Sequence, residues 1–139
     1  ALPPLCTCCR AVSVPMRILA FDIGTCRTGV AFAEFPLGIP LVLPTLHHES
    51  VRGFLDQAAQ LVDVRRIDHI VVGLPLLSSG KEGMQARRVR TLLPLLASLG
   101  VCVSTLDERY STPRNSFSDP DAVAALGILT VFMDRLGNL

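Results

Sequence analysis

The chain has 139 residues and a mass of 15.0 kDa, the size of one ordinary domain. Half its residues are hydrophobic, 5% are aromatic and 18% are charged, which excludes a disordered chain, and charges interrupt every apolar run before it reaches membrane-spanning length. Thirteen basic residues against 12 acidic ones give a net charge of +1, which excludes a globally polybasic nucleic-acid binder but not a local basic patch.

Residues 1–15 carry three prolines and the cluster Cys6, Cys8 and Cys9, without periodicity, a basic start or a long apolar stretch. They read as a leader without a part in the chemistry, with the functional domain at 16–139. The two other cysteines, Cys26 and Cys102, are widely spaced and read as isolated thiols of a cytoplasmic protein.

Residues 17–22 form a short apolar run, expected as a buried strand that ends at the turn signal Gly24-Thr25. A second strand is expected over 28–34, paired with the first as a hairpin. A third, over 41–46, contains Pro44, which has no N–H for a ladder and so belongs at an edge. Ser50 suits a helix N-cap, and Val51, Phe54, Leu55, Ala58, Ala59, Leu61 and Val62 then recur at helical spacing. Residues 70–73 are wholly apolar, as in a buried parallel strand. A helix follows over 83–99, with Pro94 expected to kink or break its last turns and Gly100 to stop it. A strand over 101–106 precedes Asp107, Glu108 and Arg109. The last helix starts with Asp119 as cap and Pro120 at its first position, and runs to Leu136. The order βββαβαβα implies an α/β fold: a mixed five-stranded sheet with helices on both faces.

Three carboxylates stand out by position. Asp22 ends the first strand, Glu108 follows the last strand, and Asp121 lies in the first turn of the last helix. Strand ends are where α/β sheets place ligands. Three carboxylates meeting there would repel one another, and a divalent cation with a taste for hard oxygen, Mg2+ or Mn2+, relieves that repulsion. Each also has a plainer explanation: Asp22 as a turn former, Glu108 as a surface partner of Arg109 or Arg114, and Asp121 as a helix-dipole charge. Asp121, however, shares its helical face with Ala125, Ile128 and Phe132, an apolar face that should point inward. Lys81, Arg87, Arg88 and Arg90 cluster around the second helix, where they can meet a phosphodiester backbone or simply face solvent. The absence of tryptophan and the single tyrosine, Tyr110, argue against a base-stacking platform.

The segment Phe21-Asp-Ile-Gly-Thr-Cys-Arg-Thr-Gly-Val30 resembles the opening motif of the YqgF/RuvX family. Val72-Gly-Leu-Pro75 with Ser79-Gly-Lys-Glu-Gly83 resembles its second motif, Asp107-Glu-Arg-Tyr-Ser-Thr112 its third, and Asp121-Ala-Val-Ala-Ala-Leu126 with Ile128-Leu129 its fourth. The four occur in order between Met16 and about Arg135. The resemblance implies an RNase H-like fold and a Mg2+-dependent nuclease that matures the 5′ end of pre-16S rRNA in ribosome biogenesis. It also implies an alternative, a Holliday junction resolvase acting on branched DNA as a homodimer, and a reading of another class stands beside both, a non-catalytic RNA-binding assembly factor. The acidic positions carry over to Asp22, Glu108 and Asp121 as catalytic metal ligands. Arg109, Lys81, Arg87 and Arg88 would hold the strand, with Thr25 and Arg27 lining the approach. The chain departs from the family at 113–120, where a helix and longer basic loop are reduced to eight residues, which should remove one wall of the substrate cleft.

Overall fold

The computed structural model describes residues 15–75, 77, 79–107 and 120–137. Its elements follow as β1 (Met16–Ile23), β2 (Arg27–Phe35), β3 (Leu41–His47), α1 (Val51–Arg65), β4 (His69–Leu74), α2 (Met84–Ala97), β5 (Cys102–Asp107) and α3 (Pro120–Gly137). The strands lie side by side as β3-β2-β1-β4-β5. β1 to β3 form an antiparallel meander, and β4 and β5 extend it in parallel with β1. This is the mixed sheet expected from the sequence, with each strand boundary within two residues of its expected place.

Period-two alternation divides the sheet into two unlike faces. Leu19, Phe21 and Ile23 of β1, Val30 and Phe32 of β2, and Ile70 and Val72 of β4 face Phe54 and Ala58 of α1 and Val89, Leu92 and Leu96 of α2. The alternate row, Ile18, Ala20, Ala31, Ala33, Val71 and Leu106, faces Ala125, Ile128, Leu129, Phe132 and Leu136 of α3. Each fully buried Leu, Ile or Phe contributes roughly 1.5–3 kcal/mol by leaving water. The second row is short-chained, so α3 settles close against β1 and β2.

Ser50 caps α1 as expected, its Oγ accepting from the Gly53 N–H at 3.0 Å. Pro94 falls in the last turns of the second helix, as expected. It sits inside α2, which continues to Ala97. Its missing N–H falls one turn from the end, where few ladder bonds remain to be lost, and the Ser98 N–H still reaches the Pro94 carbonyl at 3.0 Å. The helix therefore ends two residues earlier than the sequence suggests, with Gly100 at φ 87 in the left-handed region just beyond. At the edge of the sheet, pairing steps from Thr28–Leu46 to Val30–Leu43, so Pro44 and Thr45 together oppose Gly29. A bulge there answers the N–H that proline lacks. Cys102 is disulfide-bonded, so the sequence reading of two isolated thiols holds only for Cys26, the free cysteine among the described residues. Asp119 as helix cap, and the short connection up to Pro120, which opens α3, lie outside the described residues.

Candidate active site

The end of the sheet where β1, β4 and β5 finish gathers the chemistry-bearing residues. Asp22 is the penultimate residue of β1 and pairs across the ladder with Gly29 of β2. By alternation Asp22 belongs to the row of Ile18 and Ala20, and Gly29 to the row of Ala31 and Ala33, so both lie on the face covered by α3. A Cβ built on Gly29 would stand 1.9 Å from the Asp121 carbonyl oxygen and 3.1 Å from the Ala122 nitrogen. Only a glycine allows this contact, and it seats the first turn of α3 against the residue opposite Asp22. Asp22 and Asp121, nearly a hundred residues apart, are thereby brought to one place.

Inward rotation of α3 follows the expected face: Ala125, Ile128 and Phe132 are fully buried or nearly so, while the Asp121 side chain keeps 32% of its surface exposed. Arg27 opens β2 in the same row as Gly29, and its Nε lies 3.0 Å from Asp121 Oδ2. On β5, Leu106 belongs to the α3 face and Asp107 therefore to the opposite one. Glu108 and Arg109 lie outside the described residues.

The turn between β1 and β2 is braced from beneath. The Gly24 N–H donates to the Arg27 carbonyl at 2.8 Å, and a Cβ at Gly24 would come within 2.5 Å of that oxygen. The His48 N–H donates to the Cys26 carbonyl at 2.9 Å, and His48 Nε2 shares a 2.7 Å hydrogen bond with the buried Thr28 Oγ1. Burial, reinforced by the nearby Arg88 and His47, lowers the pKa of His48, so it supports the turn as a neutral ring. From α2, Gln85 donates to the Ile23 carbonyl at 3.0 Å and Arg88 to the Thr25 carbonyl at 3.2 Å.

A family model described as RuvX, Holliday junction resolvase, matches residues 16–135. The chain belongs to the RuvX family. Curated relatives of this RuvX chain carry the name pre-16S rRNA nuclease. One from Anaeromyxobacter sp. is 34% identical, covering 86% of this chain and 98% of its own. Another from Moorella thermoacetica is 34% identical, covering 88% and 98%. Among solved structures, Thermus thermophilus RuvC in complex with a Holliday junction substrate superposes with a TM-score of 0.65 at 15% identity, over 88% of this chain and 96% of that one. The fowlpox virus Holliday junction resolvase gives 0.57 at 10% identity, over 86% and 99%. The fold is thus that of RuvC, the RNase H-like fold expected from the sequence.

Of the residues singled out in the sequence, the RuvX fold brings Asp22, Arg27 and Asp121 together. It sets Thr25, exposed, on the adjoining turn. Arg87 and Arg88 are exposed on the first half of α2, with Lys81 exposed just before it. Arg90 is taken up by an ion pair with Glu82. Among the described residues no trio of His, Cys, Asp or Glu is grouped closely enough to hold a metal, and the third expected ligand falls outside them. The residues present do fit a divalent cation: carboxylate oxygens are its preferred ligands, and Asp121 already takes a cationic partner. Sequence reasoning missed Gly29, Gln85 and His48. A glycine two places after Arg27 is the only signal that could have pointed to the first, and nothing local marks the other two.

Proposed function

We propose that this chain cleaves phosphodiester bonds of structured RNA at the 5′ end of pre-16S rRNA, in the cytoplasm, during ribosome biogenesis. A member of the RuvX family with nuclease-named relatives along almost its whole length, it is a nucleic-acid hydrolase. The observation that carries the site assignment is the seating of Asp121 on Gly29, the ladder partner of Asp22.

In this reading Asp22, Glu108 and Asp121 are the catalytic residues and hold one or two Mg2+ or Mn2+ ions. Such ions, when bound, supply Lewis acidity to the phosphate and lower the pKa of an attacking water. The protein's share is positional. Asp22 is fixed by its ladder pairing with Gly29 of β2, and Asp121 by a helix that cannot shift along Gly29. Thr25, Arg27, Lys81, Arg87, Arg88 and Arg109 bind the sugar–phosphate backbone around that end of the sheet, which gives grip without base recognition. The working unit is residues 16–139, and residues 1–15 stand outside the chemistry.

A second reading is favoured by the likeness to RuvC: resolution of branched DNA by a homodimer whose two sites face two strands. One experiment separates the readings. Purified protein is offered a precursor 16S rRNA fragment and a four-way DNA junction, each with Mg2+ and with EDTA, and its mass in solution is measured. Mg2+-dependent cleavage of the RNA by wild type, absent in Asp22→Asn, is the expected result. Preferential cutting of the junction by a dimer would favour resolution. Binding without any cleavage would leave a non-catalytic assembly factor.

A further inference from the structure

We propose that Gln85 is the positioning residue for Asp22: its side-chain amide takes over from β4 where β1 and β4 part, and so fixes the strand end that carries the carboxylate. The inference rests on the reading of Asp22 as a metal ligand and adds the residue through which α2 sets its place.

The need for such a residue follows from the ladders. At the start of β1 the Arg17 carbonyl accepts from the Asp68 N–H at 2.9 Å, on the side that β4 enters. Alternate residues of a strand turn their main-chain groups to the same side. Leu19, Phe21 and Ile23 therefore face β4. Asp22 faces its partner Gly29 on β2, as Gly24 faces Arg27. Pairing of β1 with β4 runs from Ile18–His69 to Phe21–Val72 and stops there. β4 itself continues to Leu74, but paired with Asp107 of β5. The sheet thus splits beside Asp22. The next carbonyl in the β4-facing row, that of Ile23, lies past the end of the ladder, and Gln85 Nε2 donates to it at 3.0 Å.

The amide comes from a firm base. Gln85 is in the first turn of α2, between the buried Ala86 and Val89 on one side and the bond from Arg88 to the Thr25 carbonyl on the other. Without Gln85, the end of β1 is held in the plane of the sheet from the β2 side alone. An uncharged amide has nothing to offer a cation that the carboxylates do not offer better, so its effect passes through the Ile23 main chain to Asp22. A misplacement of about 1 Å in a catalytic constellation costs on the order of a hundredfold.

The test uses the full chain with Gln85→Met, Gln85→Glu and Asp22→Asn. Gln85→Met keeps the length and loses the donor. By calorimetry without RNA it should bind Mn2+ three- to tenfold more weakly than wild type. On the precursor rRNA fragment its kcat should fall at least tenfold with KM unchanged. Its affinity for a short RNA duplex in Ca2+ should stay within twofold of wild type, because Lys81, Arg87 and Arg88 keep their places. Gln85→Glu can donate only when its carboxyl is protonated, so its kcat relative to wild type should rise as pH is lowered towards 5. A change of packing alone would not produce that rise. Wild-type Mn2+ affinity and kcat in Gln85→Met would overturn the proposal. So would a matching loss of RNA affinity, the mark of a displaced helix, or a pH-independent ratio for Gln85→Glu. Asp22→Asn that still binds Mn2+ and cleaves as wild type does would instead bring down the metal-site reading itself.

Discussion

At Asp22 a charged residue ends a strand whose preceding four residues are buried. Burying a charge is costly, and the partial exposure Asp22 keeps near the strand end limits that cost. Asp22→Asn should abolish Mg2+-dependent cleavage and leave the melting temperature unchanged or higher, because repulsion between carboxylates is relieved. Undiminished cleavage would remove Asp22 from the chemistry. Gly29 makes a sharper case, since its role is purely steric. Ala there places a methyl group inside the Asp121 carbonyl, so α3 or β2 must give way. Gly29→Ala should cost about 1–3 kcal/mol in urea denaturation and weaken Mg2+ binding, though it touches no ligand atom. Unaltered metal affinity would show that α3 does not set the position of Asp121. Asp22 and Asp121 were legible in the sequence because a carboxylate at the end of an apolar run, or on an apolar helical face, breaks a pattern. Gly29, Gln85 and His48 were not, because their contacts depend on strand register and helix placement, which join residues far apart in the chain.

On the scale of elements, order and type followed from periodicity, and so did the side of α3 that turns inward. One feature escaped. The bulge opposite Gly29 is set by where Pro44 falls against β2, which alternation within β3 does not reveal. The junction of β4, β5 and α3 also holds a group that composition conceals. His69 is 1% exposed, its Nε2 bonded to Ser104 Oγ at 2.6 Å and its ring stacked 5.1 Å from that of Phe132. Burial lowers its pKa to about 4. The folded value lies below the ordinary 6.5, so the contribution to stability is complete above pH 6.5 and is lost as pH falls from there towards 4. His69→Gln cannot take up the proton. Between pH 7 and 4.5, wild type should therefore lose about 2–3 kcal/mol more than this variant in urea denaturation. Parallel curves for the two proteins would place the acid sensitivity elsewhere.

Across the whole molecule, the two halves of the chain contribute differently. The meander and β4 lay down most of the sheet. The last described helix, α3, packs on one face of it, chiefly against β1 and β2, and carries Asp121. Protein synthesis makes these parts in sequence, so Asp22 leaves the ribosome almost a hundred residues before Asp121 does. At ~5–20 residues per second that is an interval of roughly 5–20 s. Throughout it the nascent chain lacks at least one of its three proposed ligands, and for most of it two, together with the wall that seats Asp121. The proposed site is therefore incomplete until the final helix docks. Nascent chains stalled with Asp107 exposed but α3 still in the exit tunnel should bind no Mn2+, whereas released chains should bind it. Metal retained by the stalled chains would mean that the first part of the fold suffices. Order of synthesis thus sets the earliest moment at which the two ends of the proposed site can meet.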